Sequence, residues 1–280
     1  MTNADQEEFW NGSAGPAWVY LQAQMDALMQ PVLDLLLDTA ALRPGDRVLD
    51  IGCGTGASVL AAAARVGDAG HVTGLDIADI MLTLARTRVQ ALPNTALLKA
   101  DAQTHPFEPD SFDSVISRFG VMFFEDSVAA FANMARAVTP GGTMTFAAWG
   151  PAPDNPWFMA PAAAAADVLG PMPKVDRTQP GPFAFEQIPR VTAMMEAARL
   201  SDIRARNIDM SLTPAGTLRN AADLCCRIGP ADRALQFFDA DDRQRRALAD
   251  AIAQRFAVYD GAQGLRIPAS INVYEARKSA

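Results

Sequence analysis

The sequence predicts an α/β fold: one mostly parallel sheet of seven strands with helices on both faces, and a helical cap over the strand ends. Three observations carry that expectation. Short apolar runs of strand length alternate with longer helical patterns through the first half of the chain, as in βαβ units. The first run, Arg47–Ile51, ends in the glycine-rich Gly52-Cys-Gly-Thr-Gly56. The second and third runs each end in an aspartate, Asp76 and Asp101.

Taken in order, the elements are these. Over residues 18–40, Leu21, Met25, Leu28, Met29, Val32, Leu36 and Leu37 recur at three and four, which predicts one helix. After the strand Arg47–Ile51 comes an apolar helix, Ala57–Val66, and Gly67 and Gly70 punctuate the return to a second strand over 71–75. A helix over 77–92 is stopped by Pro93-Asn94. The third strand is expected at 96–100 and the fourth at 114–117. A helix at 126–138 then leads through Pro140-Gly141-Gly142 into a fifth strand at 143–149. Residues 151–189 are proline-rich and read as an irregular connection around a short helix. A helix at 186–200, a sixth strand at 202–212, helices in pieces over 218–257 and a last, edge strand at 270–277 complete the chain. The expected organisation is a helical flap at 1–40, a nucleotide-type core at 41–150 and, at 151–280, the rest of the sheet with a helical cap inserted between its sixth and seventh strands. All three are expected to form one continuous domain.

Lys and Arg number 24 against 32 Asp and Glu, a formal net charge of −8. That charge disfavours a surface built to neutralise phosphates, so no nucleic-acid partner is expected. Arg243, Arg245 and Arg246 are flanked by Asp239, Asp241, Asp242 and Asp250 and read as a solvated helix face. Half the residues are hydrophobic and 20% are charged, which excludes a disordered chain and allows a large core. No apolar run approaches the roughly 20 residues that span a bilayer. The acidic N-terminus is unlike a leader, so the expectation is a cytoplasmic protein without stable membrane insertion. Three cysteines (Cys53, Cys225, Cys226) and two histidines (His71, His105) offer neither a disulfide framework nor zinc-ligand spacing, and no metal is expected.

A parallel sheet binds its ligand beyond the carboxyl ends of its strands, where the glycine loop, Asp76 and Asp101 fall in succession. The glycines allow a tight turn and close backbone approach, and are expected to present N–H groups to an anion at a helix N-terminus. Asp76 lies twenty residues beyond Gly56, where a carboxylate can accept both hydroxyls of an adenosine ribose. Asp101 can accept from an adenine amino group. No Gly-Lys-Ser/Thr follows the loop, so it is not a triphosphate cradle. Ala57 stands where a dinucleotide fingerprint has its third glycine, and spacing alone leaves a nicotinamide dinucleotide open.

Val48-Leu-Asp-Ile-Gly-Cys-Gly-Thr-Gly56 resembles the first motif of class I S-adenosylmethionine-dependent methyltransferases. Gly74-Leu-Asp-Ile77 resembles their second, and Pro140-Gly-Gly142 the turn before their fifth strand. Asp101-Ala-Gln, Phe107, Ser111-Phe-Asp113, Phe119-Gly and Phe123-Phe124 are similar to the subgroup that includes the ubiquinone- and menaquinone-biosynthesis methyltransferases. The resemblance covers about residues 43–149. It implies a Rossmann-like sheet, S-adenosyl-L-methionine as cofactor, S-adenosyl-L-homocysteine as product and methyl transfer to a small acceptor.

Carried over residue by residue, it places Gly52, Gly54 and Gly56 beneath the methionine part of the cofactor, with Asp50 bracing the loop. Asp76 would hold the ribose, with Ile77 and Met81 against the adenine, and Asp101 would meet the adenine amino group beside the Ala102 N–H. Ser117 would sit near the sulfonium, with Arg118 and Phe119 toward the substrate. Trp10 belongs to an aromatic group (Phe9-Trp10 and Trp18-Val-Tyr20) expected to close as a flap. His105 is a weak candidate for a general base, since imidazole titrates at about 6.5. Its loop, however, resembles an adenine-flanking surface segment.

The later half is rich in Met and Phe: Trp157, Phe158, Met159, Met172, Phe183, Phe185, Met194, Met195, Phe237 and Phe238. These favour a small, apolar or aromatic acceptor. Two readings of other classes stay open, a nucleotide-dependent oxidoreductase and a cofactor-binding module without turnover. So does a homo-oligomer, because an apolar face on 218–257 reads either as a dimer surface or as cover for the pocket.

Overall fold

The computed structural model describes residues 2–12 and 14–279. Three helices precede the sheet: α1 (Asn3–Asn11), α2 (Gly15–Tyr20) and α3 (Gln22–Ala40). The single helix expected over 18–40 is thus divided at Leu21, which leaves the helical region (φ −97°, ψ 14°) and caps both neighbours. The predicted apolar stripe is the buried face of α3, including Met25, Leu28, Met29, Val32, Leu36 and Leu37.

The alternating core follows as β1 (Arg47–Ile51), α4 (Ala57–Val66), β2 (His71–Asp76), α5 (Asp79–Val89), β3 (Thr95–Lys99), β4 (Phe112–Arg118), α6 (Ser127–Ala137) and β5 (Val138–Trp149). Helix α5 begins two residues later than the sequence suggests. The Asp76 carboxylate accepts the Ala78 N–H at 2.9 Å and holds residues 77–78 out of the helix. After β5 come α7 (Pro156–Val168), which runs through Pro161, then α8 (Ile188–Ala197) and β6 (Leu200–Leu212). The inserted cap is α9 (Leu218–Cys225), α10 (Pro230–Phe237), α11 (Asp242–Phe256) and a two-residue-per-strand hairpin, β7 (Asp260–Gly261) and β8 (Gly264–Leu265). Strand β9 (Ile267–Lys278) closes the chain.

The main sheet has seven strands in the order β3-β2-β1-β4-β5-β9-β6. The pairs from β3 to β5 are parallel, and β9 runs antiparallel between β5 and β6. This confirms the expected sheet and corrects one detail: the last strand is interior, and β6 is the edge. Ser270 and Asn272 gave the last strand its outward-looking alternation, yet both are fully buried and bonded inside. Asn207 donates to Ser270 Oγ (2.7 Å) and Asn272 Oδ1 (2.8 Å), and Asn272 donates to the Phe185 carbonyl (3.0 Å). Buried polar groups are tolerated once bonded in this way. The edge strand β6 carries Arg204, Arg206 and Asp209, charges that discourage pairing with another sheet.

One buried cluster runs from α3 across the sheet into α7, α9, α10 and α11. Among the described residues no helix is long and apolar enough to cross a membrane.

Candidate cofactor and acceptor site

A cavity of about 360 Å³ opens beyond the carboxyl ends of the parallel strands, roofed by α1 and α2 and flanked by the start of α10. Its floor includes Gly52, Gly54, Asp76, Ile77, Met81, Asp101 and Ala102, so the structure brings together most of the residues expected there.

The glycine loop is bound internally. The Gly52 and Cys53 N–H groups both donate to the Leu75 carbonyl (2.8 and 3.0 Å), Gly54 to Asp76 Oδ2 (2.7 Å) and Gly56 to the Cys53 carbonyl (2.9 Å). These four amides are therefore spent inside the protein and do not face an anion. Gly52 needs its glycine: φ is +66°, and a Cβ would stand 2.7 Å from Gly120 Cα. Gly56 does not line the cavity; a Cβ there would stand 3.1 Å from Ala85 Cβ, so it serves close packing of α4 on α5.

Asp76 accepts Gly54 N–H through one carboxylate oxygen and Ala78 N–H through the other, and each oxygen keeps a further acceptor site. Burial raises its pKa, opposed by the backbone donors Ala78, Gly54 and Ile77. Asp101 accepts from Asn3 Nδ2 (2.8 Å) and from its own Gln103 N–H (2.8 Å). The same Asn3 donates to Gln103 Oε1 (2.9 Å) and accepts the Glu125 N–H (2.9 Å), so α1 is stitched to two loops at once. Lys99 adds ion pairs to Glu7 (3.0 Å) and Asp79 (2.8 Å). Trp10 packs edge-on against Phe9, Trp18 and Phe123, with ring centroids 5.3 to 5.9 Å apart.

Beneath the loop Asp50 is fully buried. Ser58 Oγ donates to its Oδ2, and its Oδ1 has no hydrogen-bond partner among the described residues. Burial pushes this carboxyl up to about 7, against the Ser58 hydrogen bond, with Arg118 and Asp76 acting less strongly. Burial likewise pushes the Cys53 thiol well up, so it lies in the cavity wall as an un-ionised, apolar filler.

Besides Gly56, two expected residues, Ser117 and His105, lie outside the cavity, and Arg118 lines it in another direction. Ser117 is fully buried outside the cavity, donating to the Ile51 carbonyl (2.7 Å) and accepting the Gly120 N–H (3.2 Å); it joins β4 to β1. His105 is also outside, its ring edge-on to Phe107 at 4.7 Å. Arg118 lines the cavity but extends to the Met29 carbonyl on α3 (3.4 Å), toward the loop rather than the far wall.

That far wall is aromatic. Phe119 lies flat on Trp149 (4.5 Å, 7° between planes), Trp149 meets Phe158 edge-on (4.9 Å), and Phe158 meets Phe183 (5.0 Å). Phe119 adopts a left-handed backbone (φ +68°), a costly conformation for a bulky residue, and its N–H donates to the Ala147 carbonyl (2.8 Å). The lining contains no histidine, lysine or glutamate among the described residues. Sequence reading missed Asn3, Asp26, Arg227, Asp232 and Arg233, all of which line the cavity. Each belongs to a helix outside the motifs or, for Arg227, to the turn between α9 and α10, and no local pattern marks it.

Residues 48–142 match the family described as a methyltransferase domain. This stretch of the chain is similar to methyltransferase domains. Its curated relatives include the aklanonic acid methyltransferase of Streptomyces sp. (strain C5), 42% identical over 113 residues, or 40% of this chain and 51% of that protein. The demethylmenaquinone methyltransferase of Staphylococcus aureus (strain JH9) is 38% identical over 101 residues, 36% of this chain and 42% of that protein. The chain thus spans about half the length of these relatives. In fold, it is similar to Haemonchus contortus phosphoethanolamine N-methyltransferase 2 solved with S-adenosyl-L-methionine (TM-score 0.61, 18% identity, 98% of this chain and 60% of that one).

The residues brought together at this site can hold S-adenosyl-L-methionine. Asp76 and Asp101 stand at consecutive strand ends with acceptor capacity to spare, and the glycine loop has already bonded the amides of Gly52, Cys53, Gly54 and Gly56 within the protein.

Proposed function

We propose that the chain transfers a methyl group from S-adenosyl-L-methionine to a small, apolar or aromatic molecule. The observation that carries this reading is one cavity with two unlike halves: the glycine loop, Asp76 and Asp101 on one side, and the Phe119–Trp149–Phe158 wall on the other. When bound, the cofactor supplies an electrophilic methyl group. Asp76 would accept from the ribose hydroxyls, Asp101 from the adenine amino group, and Ile77 and Met81 would pack on the adenine. Phe119 and Trp149 would orient a flat acceptor, while α1 and α2 exclude water.

A lining without histidine or lysine among the described residues suits an acceptor that needs little help losing a proton, such as an acidic hydroxyl, a carbon acid or a carboxylate. The two relatives named for aklanonic acid and demethylmenaquinone support a small organic acceptor as the partner.

Calorimetric titration of the pure protein with S-adenosyl-L-homocysteine and, separately, with NAD tests the reading. Micromolar binding of the first and none of the second is expected, followed by methyl transfer in a panel of hydroxylated aromatic acceptors. Binding of NAD alone would favour the oxidoreductase. Homocysteine-form binding with no turnover on a broad panel would favour a binding module.

A further inference from the structure

We propose that Arg118 and Asp26 form the receptor for the amino-acid end of the cofactor, Arg118 taking its carboxylate and Asp26 its ammonium. The inference rests on the cofactor reading above and assigns Arg118 to the cofactor half of the cavity instead of the acceptor half.

Strand register fixes the direction of Arg118. Asp50 on β1 lies opposite Ile116 on β4, and side chains two apart share a sheet face. Arg118 therefore projects on the same face as Asp50, where Ser58 of α4 bonds to Asp50 and Met29 of α3 meets the guanidinium. This is the face that carries the glycine loop into α4.

The guanidinium reaches this place nearly unused. It has five N–H donors, and among the described residues its one hydrogen bond is the long contact to the Met29 carbonyl. Among the described residues no carboxylate lies within ion-pair distance of it. Burial lowers its pKa, with Asp26 and Asp50 the nearby charges that oppose the shift. A half-buried cation without a partner is costly, and an anion arriving in the cavity would relieve that cost.

Asp26 is one turn before Met29 on α3, so it flanks the same spot. Its Oδ2 accepts both Arg88 Nη2 (2.6 Å) and Gln22 Nε2 (2.5 Å), which leaves Oδ1 without a hydrogen bond among the described residues. Arg88 in turn donates to the Thr55 carbonyl (2.7 Å), tying this cluster to the glycine loop. An arginine and a carboxylate oxygen, each with capacity to spare, side by side at the loop, match a zwitterion.

The test compares two ligands that differ only in that end, S-adenosyl-L-homocysteine and 5′-methylthioadenosine, by calorimetry. The wild-type protein is expected to prefer the amino-acid-bearing ligand by at least tenfold. Arg118→Met should bring the two affinities to within about threefold of each other by weakening the first, with 5′-methylthioadenosine bound as before, which also reports an intact fold. Arg118→Lys should restore part of the preference, and Asp26→Asn should reduce it. A variant Arg118→Met that keeps the full preference would return Arg118 to the acceptor side. Equal loss for both ligands would make its role structural. Wild-type protein that binds both equally would overturn the receptor while leaving the cofactor reading intact; wild-type protein that binds neither would overturn both.

Discussion

The Gly54 N–H donates to Asp76 Oδ2 at 2.7 Å, joining the loop after the first strand to the acid after the second. The two strands pair in parallel through Ile51 and Leu75, which brings their ends side by side. Asp76 also holds the Ala78 N–H, so one carboxylate fixes the loop, delays α5 and presents its remaining lone pairs to the cavity.

Asp76→Ala is accordingly expected to weaken S-adenosyl-L-homocysteine binding at least tenfold, about 1.4 kcal/mol, in a calorimetric titration. Affinity equal to that of the wild type would mean that the carboxylate only braces the backbone.

Trp10 should act on binding more than on folding. It touches Phe9, Trp18 and Phe123 edge-on, and all four rings line the cavity under the α1–α2 roof. Trp10→Ala is expected to lower cofactor affinity several-fold and to speed hydrogen exchange over residues 3–20, while the thermal midpoint shifts by only a few degrees, about what the loss of roughly 1 kcal/mol gives. No change in affinity would remove the flap from the binding step.

Asp50 gives the chain a pH signature. Its carboxyl ionises near 3.8 when unfolded and at about 7 when folded. Between those values the folded chain holds a proton that the unfolded chain has released, so the stability this group contributes is fully present below the lower value and is lost as pH rises through the upper one. Asp50→Asn carries no such proton. Denaturant titrations from pH 5 to 8 should therefore show the wild type losing stability relative to the variant. Parallel curves would show that Asp50 is ionised throughout.

The sheet, the glycine turn and the two strand-end acids were legible because they rest on local chemistry. A run such as Arg47–Ile51 followed by glycines that adopt positive φ can do little except end a strand and turn into a helix, and the acids at 76 and 101 mark the next two strand ends. Ser270 and Asn272 misled for the same reason: polarity read along the chain says outward, and only their partners Asn207 and Phe185 make them interior.

By itself, then, the sequence determined the α/β alternation, the glycine turn and the two strand-end acids, since each depends on residues within a few positions of one another. Tertiary structure alone decided the interior place of β9, the spending of the loop amides on Leu75 and Asp76, the Asn3 bond to Asp101 across 98 positions, and the turn of Arg118 toward α3. Those choices depend on which distant donor or acceptor each polar group meets once the sheet is assembled. No local pattern records such a pairing, because it exists only between segments that packing has brought together.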